Sequence, residues 1–121
     1  SLFPLPDCVQ MISEATEEWP QVDVDHNEGL TVDYARRNGI HTAIRGLRAV
    51  TDFEHEFSMA LTNRSLWGDF DTVFLMTRAD YMYLSSSVVR QVAQLGGDVS
   101  QFVPKCVERK LREKFMGDTS K

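Results

Sequence analysis

Two short segments of this 121-residue chain concentrate side chains that could handle an anion. The first is Ile44-Arg45-Gly46-Leu47-Arg48-Ala49-Val50, followed by Asp52-Phe53-Glu54-His55-Glu56. Its two arginines flank a glycine where a strand gives way to a helix. A glycine lets backbone approach an anion closely. Arginine forks match phosphate oxygens, and a helix amino end adds N–H donors. The competing reading is an ordinary strand-to-helix turn, with the arginines salt-bridged to Asp52, Glu54 or Glu56. The second segment runs Tyr81-Met82-Tyr83-Leu84-Ser85-Ser86-Ser87-Val88-Val89-Arg90. One serine suffices to cap a helix. Three in a row, with Arg90 one turn after Ser86 and Ser87, favour phosphate binding over a plain cap.

Other chemistries find little support. No GxxxxGK[ST] loop and no G-x-S-x-G elbow occurs. His26, His41 and His55 lack metal-ligand spacing, so no protein-held metal is expected. Cys8 and Cys106 form no CxxC pair and read as small apolar packing groups. Trp19 and Trp67 follow helical stretches and are expected to pack at helix ends.

The elements that must position these groups alternate in type. Cys8, Val9, Met11, Ile12 and Ala15 mark a helix opened by Pro6 and Asp7. Val22–Asp25 reads as a short strand, 30–37 as a helix stopped by Asn38-Gly39, and 40–44 as a buried strand. A helix over 52–66, a buried strand over 72–76, a helix over 86–95 ended by Gly96-Gly97, and a last helix over 104–115 complete the pattern. Alternation of this kind predicts an α/β fold with parallel strands, whose ligands bind beyond the carboxyl ends of the strands. The segments after Ile44 and Met76 are therefore the ones to watch. Three strands are few for a parallel sheet, which needs cover on both faces, so the chain reads as the later part of a larger fold.

Composition narrows the class. Hydrophobic residues make up 42% and the formal charge is −5. The first 35 residues hold eight acids and no Lys or Arg, whereas the remainder carries all 13 bases and ten acids, a net charge of +3. That balance argues against a general nucleic-acid binder and is compatible with a local phosphate pocket. Two cysteines and the lack of a long apolar run argue against a disulfide scaffold and a membrane span. A soluble, cytosolic globular domain is expected.

The segments also fall into a longer ordered set: Arg45-Gly-Leu-Arg-Ala-Val-Thr-Asp-Phe-Glu-His-Glu56, Met59-Ala-Leu-Thr-Asn-Arg64, Thr72-Val-Phe-Leu-Met76, Leu84-Ser-Ser-Ser-Val-Val-Arg90, Gly96-Gly-Asp-Val-Ser100 and Phe102-Val-Pro104. From Leu2 to Phe115 this set resembles the bacterial phosphopantetheine adenylyltransferases. Leu84 to Arg90 alone is similar to the signature of the wider nucleotidyltransferase superfamily. The resemblance implies transfer of the adenylyl group of ATP to 4′-phosphopantetheine with Mg2+, giving dephospho-coenzyme A and pyrophosphate in coenzyme A synthesis. The attacking group is the substrate's own phosphate, so the protein needs only positioning and charge stabilisation.

By the same resemblance, Thr31 and Arg45 face the phosphopantetheine side. Gly46, Leu47 and Arg48 form an ATP-binding turn, and Glu56 is an ATP-site glutamate. Tyr81, Met82, Tyr83, Leu84, Ser85, Ser86 and Ser87 form the loop that closes on adenine and phosphates, with Arg90 at its end. Arg48 and Ser86 are the candidate catalytic groups. A cytoplasmic homo-oligomer, hexameric by resemblance, is implied, with coenzyme A as a further ligand and no nucleic-acid or membrane partner.

The family pattern opens with a strand and a T-x-G-H motif, followed by a substrate-binding lysine. No T-x-G-H occurs here and no lysine precedes Lys105. The expectation is thus a Rossmann-like nucleotidyltransferase fold whose N-terminal strands are missing from this chain, residues 1–121 forming one partial domain. The same gap motivates an alternative of another class: a catalytically silent nucleotide- or coenzyme A-binding assembly protein that retains half of the site.

Overall fold

In the computed structural model, residues 2–116 are described. Their elements are α1 (Leu5–Ala15), α2 (Thr31–Arg37), β1 (Thr42–Leu47), α3 (Val50–Leu66), β2 (Asp71–Met76), a 3-10 turn (Ala79–Tyr81), α4 (Ser86–Gln94) and α5 (Lys105–Met116). The chain divides into two compact units. One is Asn27–Tyr83; the other joins the residues up to His26 with those from Leu84 onward.

In the unit Asn27–Tyr83, α2 ends where its glycine requires it to. Gly39 adopts φ 66°. The Gly39 N–H donates to the Arg36 carbonyl at 3.3 Å, and the Ile40 N–H to the Ala35 carbonyl at 2.8 Å. That pair of bonds is the Schellman closure, which turns the chain out of the helix and into β1. β1 and β2 pair in parallel, with Ile44 opposite Val73 and Leu47 opposite Met76. The crossover between them is α3, as parallel pairing demands.

Side chains alternate across this sheet. One face carries Ala43, Arg45, Thr72 and Phe74. It receives α3, with Phe53 edge-on to Phe74 at 6.3 Å between ring centroids. Val32, Ala35 and Phe70 form the buried centre of the unit, with Ala43 and Trp67 packed against it. The other face is open: Ile44 is 68% and Leu75 57% exposed. The buried strands expected at 40–44 and 72–76 are therefore covered on one side only. The continuous apolar run 73–76 suits cover on both faces, but the described residues place a helix on just one.

The strand expected at Val22–Asp25 does not form. The segment is irregular and Val22 is exposed. Alternation of valine and aspartate supplies a face for a strand but no ladder, and no neighbouring strand pairs with it among the described residues.

In the other unit, α1 starts with Pro6 and Asp7 in its first turn, as their chemistry favours. α4 closes as α2 does: Gly96 takes φ 82° and the Gly97 N–H reaches the Val92 carbonyl at 2.8 Å. Val89, Ala93, Val99 and Leu111 form the core between α4 and α5, bordered by Phe3, Leu84, Phe102 and Val107 among others. Cys106 is buried, and its thiol donates to the Met11 carbonyl at 3.3 Å, which ties α5 to α1. Cys8 is a free thiol, half-buried. Of the two tryptophans, Trp67 packs at the end of α3 beside His41 and Phe70. Trp19 is instead 46% exposed, because α1 stops at Ala15 and leaves it on an irregular turn. No helix among the described residues is long and apolar enough to cross a membrane.

Candidate functional site

The site is best built from the carboxyl end of β1. Arg45, Gly46 and Leu47 are its last three residues, and Arg48 and Ala49 lead into α3. Ala49, at the N-cap, offers no side-chain acceptor to the helix's first N–H groups. Asp52, in the first turn, reaches back instead to the residue before the cap. Its Oδ2 accepts from the Arg48 backbone N–H at 3.3 Å and from Arg48 Nε at 3.0 Å. Its Oδ1 faces Arg48 Nη2 at 3.5 Å.

One turn further along α3, Glu56 accepts from Arg45 Nε at 2.9 Å and Nη2 at 2.6 Å. The salt-bridge reading of the two arginines is thus realised, with Asp52 and Glu56 as partners and Glu54 not among them. The spacing is what one helix face provides: residues four apart point the same way, here toward the strand end.

These pairs set the local electrostatics. The hydrogen bond from Arg48 holds the Asp52 carboxyl below the usual carboxylate range. The bond from Arg45 does the same for Glu56, and Glu56 in turn raises Arg45. Both carboxylates are therefore ionised at neutral pH, and each arginine is oriented in advance.

Gly46 is neither crowded nor strained. A Cβ there would meet nothing within 4 Å, and its φ is not positive. Packing among the described residues does not require glycine here, which leaves room for an outside group to approach the backbone.

Beside this turn lies a cavity of about 210 Å³ lined by Thr31, Ala43, Arg45, His55, Glu56, Met59, Ala60, Asn63 and Thr72. It brings together Thr31, Arg45 and Glu56 from α2, β1 and α3. It also adds His55, Met59, Asn63 and Thr72, which were not singled out as site residues. The signal for three of them lay in the helical period: Asp52, His55, Glu56, Met59, Ala60 and Asn63 recur every three or four residues along α3. Thr72 could be placed only through its register opposite Ala43.

Tyr81, Met82 and Tyr83 follow β2 through the 3-10 turn and are exposed. They end the unit Asn27–Tyr83.

The serine run belongs to the other unit. Ser85 is the N-cap of α4, with φ −138° and ψ 161°, and its Oγ accepts from the Val88 N–H at 3.2 Å. Ser85 therefore does the capping. Ser86 and Ser87 occupy the first helical turn, where N–H groups have no helical partner. Arg90 Nη2 donates to Ser87 Oγ at 3.4 Å, so arginine and serine do share a helix face. Ser86 and Arg90 are also the polar lining of a cavity of about 460 Å³, otherwise walled by Leu2, Phe3, Val89, Val103, Val107 and Leu111. Leu84 turns inward and packs on the core of that unit.

A divalent cation is poorly served by these donors. Among the described residues no three His, Cys, Asp or Glu side chains are grouped to hold a metal ion. The two carboxylates of the turn are already engaged by arginines. The described residues therefore do not form a magnesium cage, which needs several oxygens in octahedral array.

Comparison with known proteins shows the family. Residues 1–92 match the model of the cytidylyltransferase-like family. The chain is 48% identical over 114 residues to a phosphopantetheine adenylyltransferase of Carboxydothermus hydrogenoformans, covering 94% of this chain and 70% of the relative. A relative of the same name from Desulforudis audaxviator is 50% identical over 114 residues, covering 94% and 70%. One from Caldanaerobacter subterraneus subsp. tengcongensis is 46% identical, covering 94% and 71%. The chain is thus an α/β nucleotidyltransferase-type protein of the cytidylyltransferase-like family, and within it belongs with the phosphopantetheine adenylyltransferases.

Proposed function

We propose that the protein transfers the adenylyl group of ATP to 4′-phosphopantetheine, releasing pyrophosphate and forming dephospho-coenzyme A. The observation that carries this reading is identity of 46–50% along nearly the whole chain to relatives named for that activity. A phosphate oxygen of phosphopantetheine attacks the α-phosphorus of ATP. The new P–O bond forms as the bond from that phosphorus to the bridging oxygen breaks, and the electron pair leaves with pyrophosphate. No proton has to move at the reacting oxygen, which is already anionic. The protein's task is to align two polyanions and offset their charge.

Within this reading, Thr31 and Arg45 bind the phosphopantetheine phosphate side in the cavity beside β1. Gly46, Leu47 and Arg48 meet ATP at the strand end, with Glu56 completing the wall. Tyr81 through Ser87 close on the nucleotide, Ser86 donates to phosphate, and Arg90 supports the same helix mouth. Magnesium entering with ATP would offset phosphate charge when bound. On resemblance alone we further place the protein in the cytoplasm as a homohexamer that also binds coenzyme A.

The test is pyrophosphate release from the purified protein. Release that requires ATP, phosphopantetheine and magnesium together is the expected result. ATP or coenzyme A binding by calorimetry without any release would overturn it in favour of a silent binding protein. Sedimentation measures the assembly state independently.

A further inference from the structure

We propose that Asp52 is a positioning residue for this reaction: it seats the Arg48 guanidinium side-on at the mouth of α3, in the orientation in which it meets nucleotide phosphate. The proposal rests on the reading of Arg48 as a phosphate contact.

The geometry is specific. One carboxylate takes the backbone N–H of Arg48 at 3.3 Å, its Nε at 3.0 Å and, through the second oxygen, its Nη2 at 3.5 Å. A side chain held only at its tip can still swing at its root. Here root and tip are held by the same group, which is itself fixed on the first turn of α3. Gripping the Nε edge of a planar guanidinium sets the direction of its Nη edge, the fork that suits phosphate. Ordering a long arginine is costly, and meeting that cost at folding leaves less to be met when ligand binds. The side-on fork, though not the backbone contact, recurs four residues on, where Glu56 holds the Nε and Nη2 of Arg45. Asp52 is kept ionised by this contact, so the grip persists at neutral pH.

A carboxylate in the first turn of a helix also supports the helix itself. Asp52→Asn separates the roles. Asparagine keeps an oxygen for the backbone N–H but loses the charged fork. Steady-state kinetics are measured for wild type, Asp52→Asn, Arg48→Ala and the double variant, with thermal midpoints alongside. Asp52→Ser, which can also accept from the backbone, replaces asparagine should that variant not fold.

The expected result is a rise of roughly tenfold in KM for ATP in Asp52→Asn. KM for phosphopantetheine should stay within about twofold, and Asp52→Asn should add less than about twofold to Arg48→Ala. Wild-type kinetics in Asp52→Asn, or effects that multiply in the double variant, overturn the proposal while leaving Arg48 in place. An unchanged Arg48→Ala enzyme overturns the reading of Arg48 itself, and the proposal with it.

Discussion

The two helix mouths that carry candidate phosphate contacts are built on opposite principles. At the start of α3 the candidate anion-binding groups are cations, and each is already seated on a carboxylate of the same helix. At the start of α4 no acid stands in the first turn, and a neutral hydroxyl does the capping. The first mouth has charge and orientation but near-neutral balance. The second has open helical N–H groups, two further hydroxyls, and Arg90 on a long contact to Ser87. A charged site that is neutralised in advance loses long-range attraction and gains order. A capped helix end stays available to an anion without needing an acid to hold it.

That contrast can be broken by mutation. Arg48→Ala should have the largest effect, because hydrogen bonds between charged groups contribute about 1.5–3 kcal/mol, or about 10–150-fold in kcat/KM for ATP. Ser86→Ala removes a neutral donor and should cost about 0.5–1.5 kcal/mol, roughly 2–12-fold. Steady-state pyrophosphate release measures both. If Ser86→Ala matches Arg48→Ala, the distinction between a charge-based and a dipole-based mouth fails.

Ser85→Ala should act on stability, whatever it does to turnover. Loss of the bond to the Val88 N–H should lower stability by about 1 kcal/mol in denaturant titration. A variant as stable as wild type would show that another group caps α4.

The smallest effect is acid sensitivity. Asp52 and Glu56 are held below their usual values by Arg48 and Arg45. The unfolded chain titrates these groups near about 3.9 and 4.3. Their contribution to stability is therefore complete above that range and is lost as pH falls through it and below. Asp98, lowered by the backbone N–H of Ser100, adds to the same trend in the other unit. Thermal midpoints from pH 6 to pH 3 should decline less steeply in Glu56→Gln than in wild type. Parallel curves would remove Glu56 from the acid response.

Several of these features could be read without a structure. The stops at Gly39 and Gly96 follow from backbone physics, since only glycine enters the left-handed region without penalty. The pairing of two arginines with two acids four residues apart follows from helical period, although spacing alone left Glu54 as a third candidate. The serine run announced a helix start. Val22–Asp25 misled, because alternation measures what a strand would bury, not whether a neighbour exists to pair with it. The apolar residues of β1 and β2 misled in the same way: they suit burial, and Ile44 and Leu75 nonetheless lie open on one face.

The sequence by itself determined most of the local elements, the two helix mouths, the charge types at each and the family. These depend on short-range geometry, where neighbours in the chain are neighbours in space. Tertiary structure decided which acid each arginine takes, and that Ser85 rather than Ser86 caps α4. It also decided that Thr31 from α2, Arg45 from β1, Asn63 from α3 and Thr72 from β2 line one cavity. That shared cavity depends on sheet register and helix rotation, which join residues far apart in the chain and leave no periodic trace within any one segment.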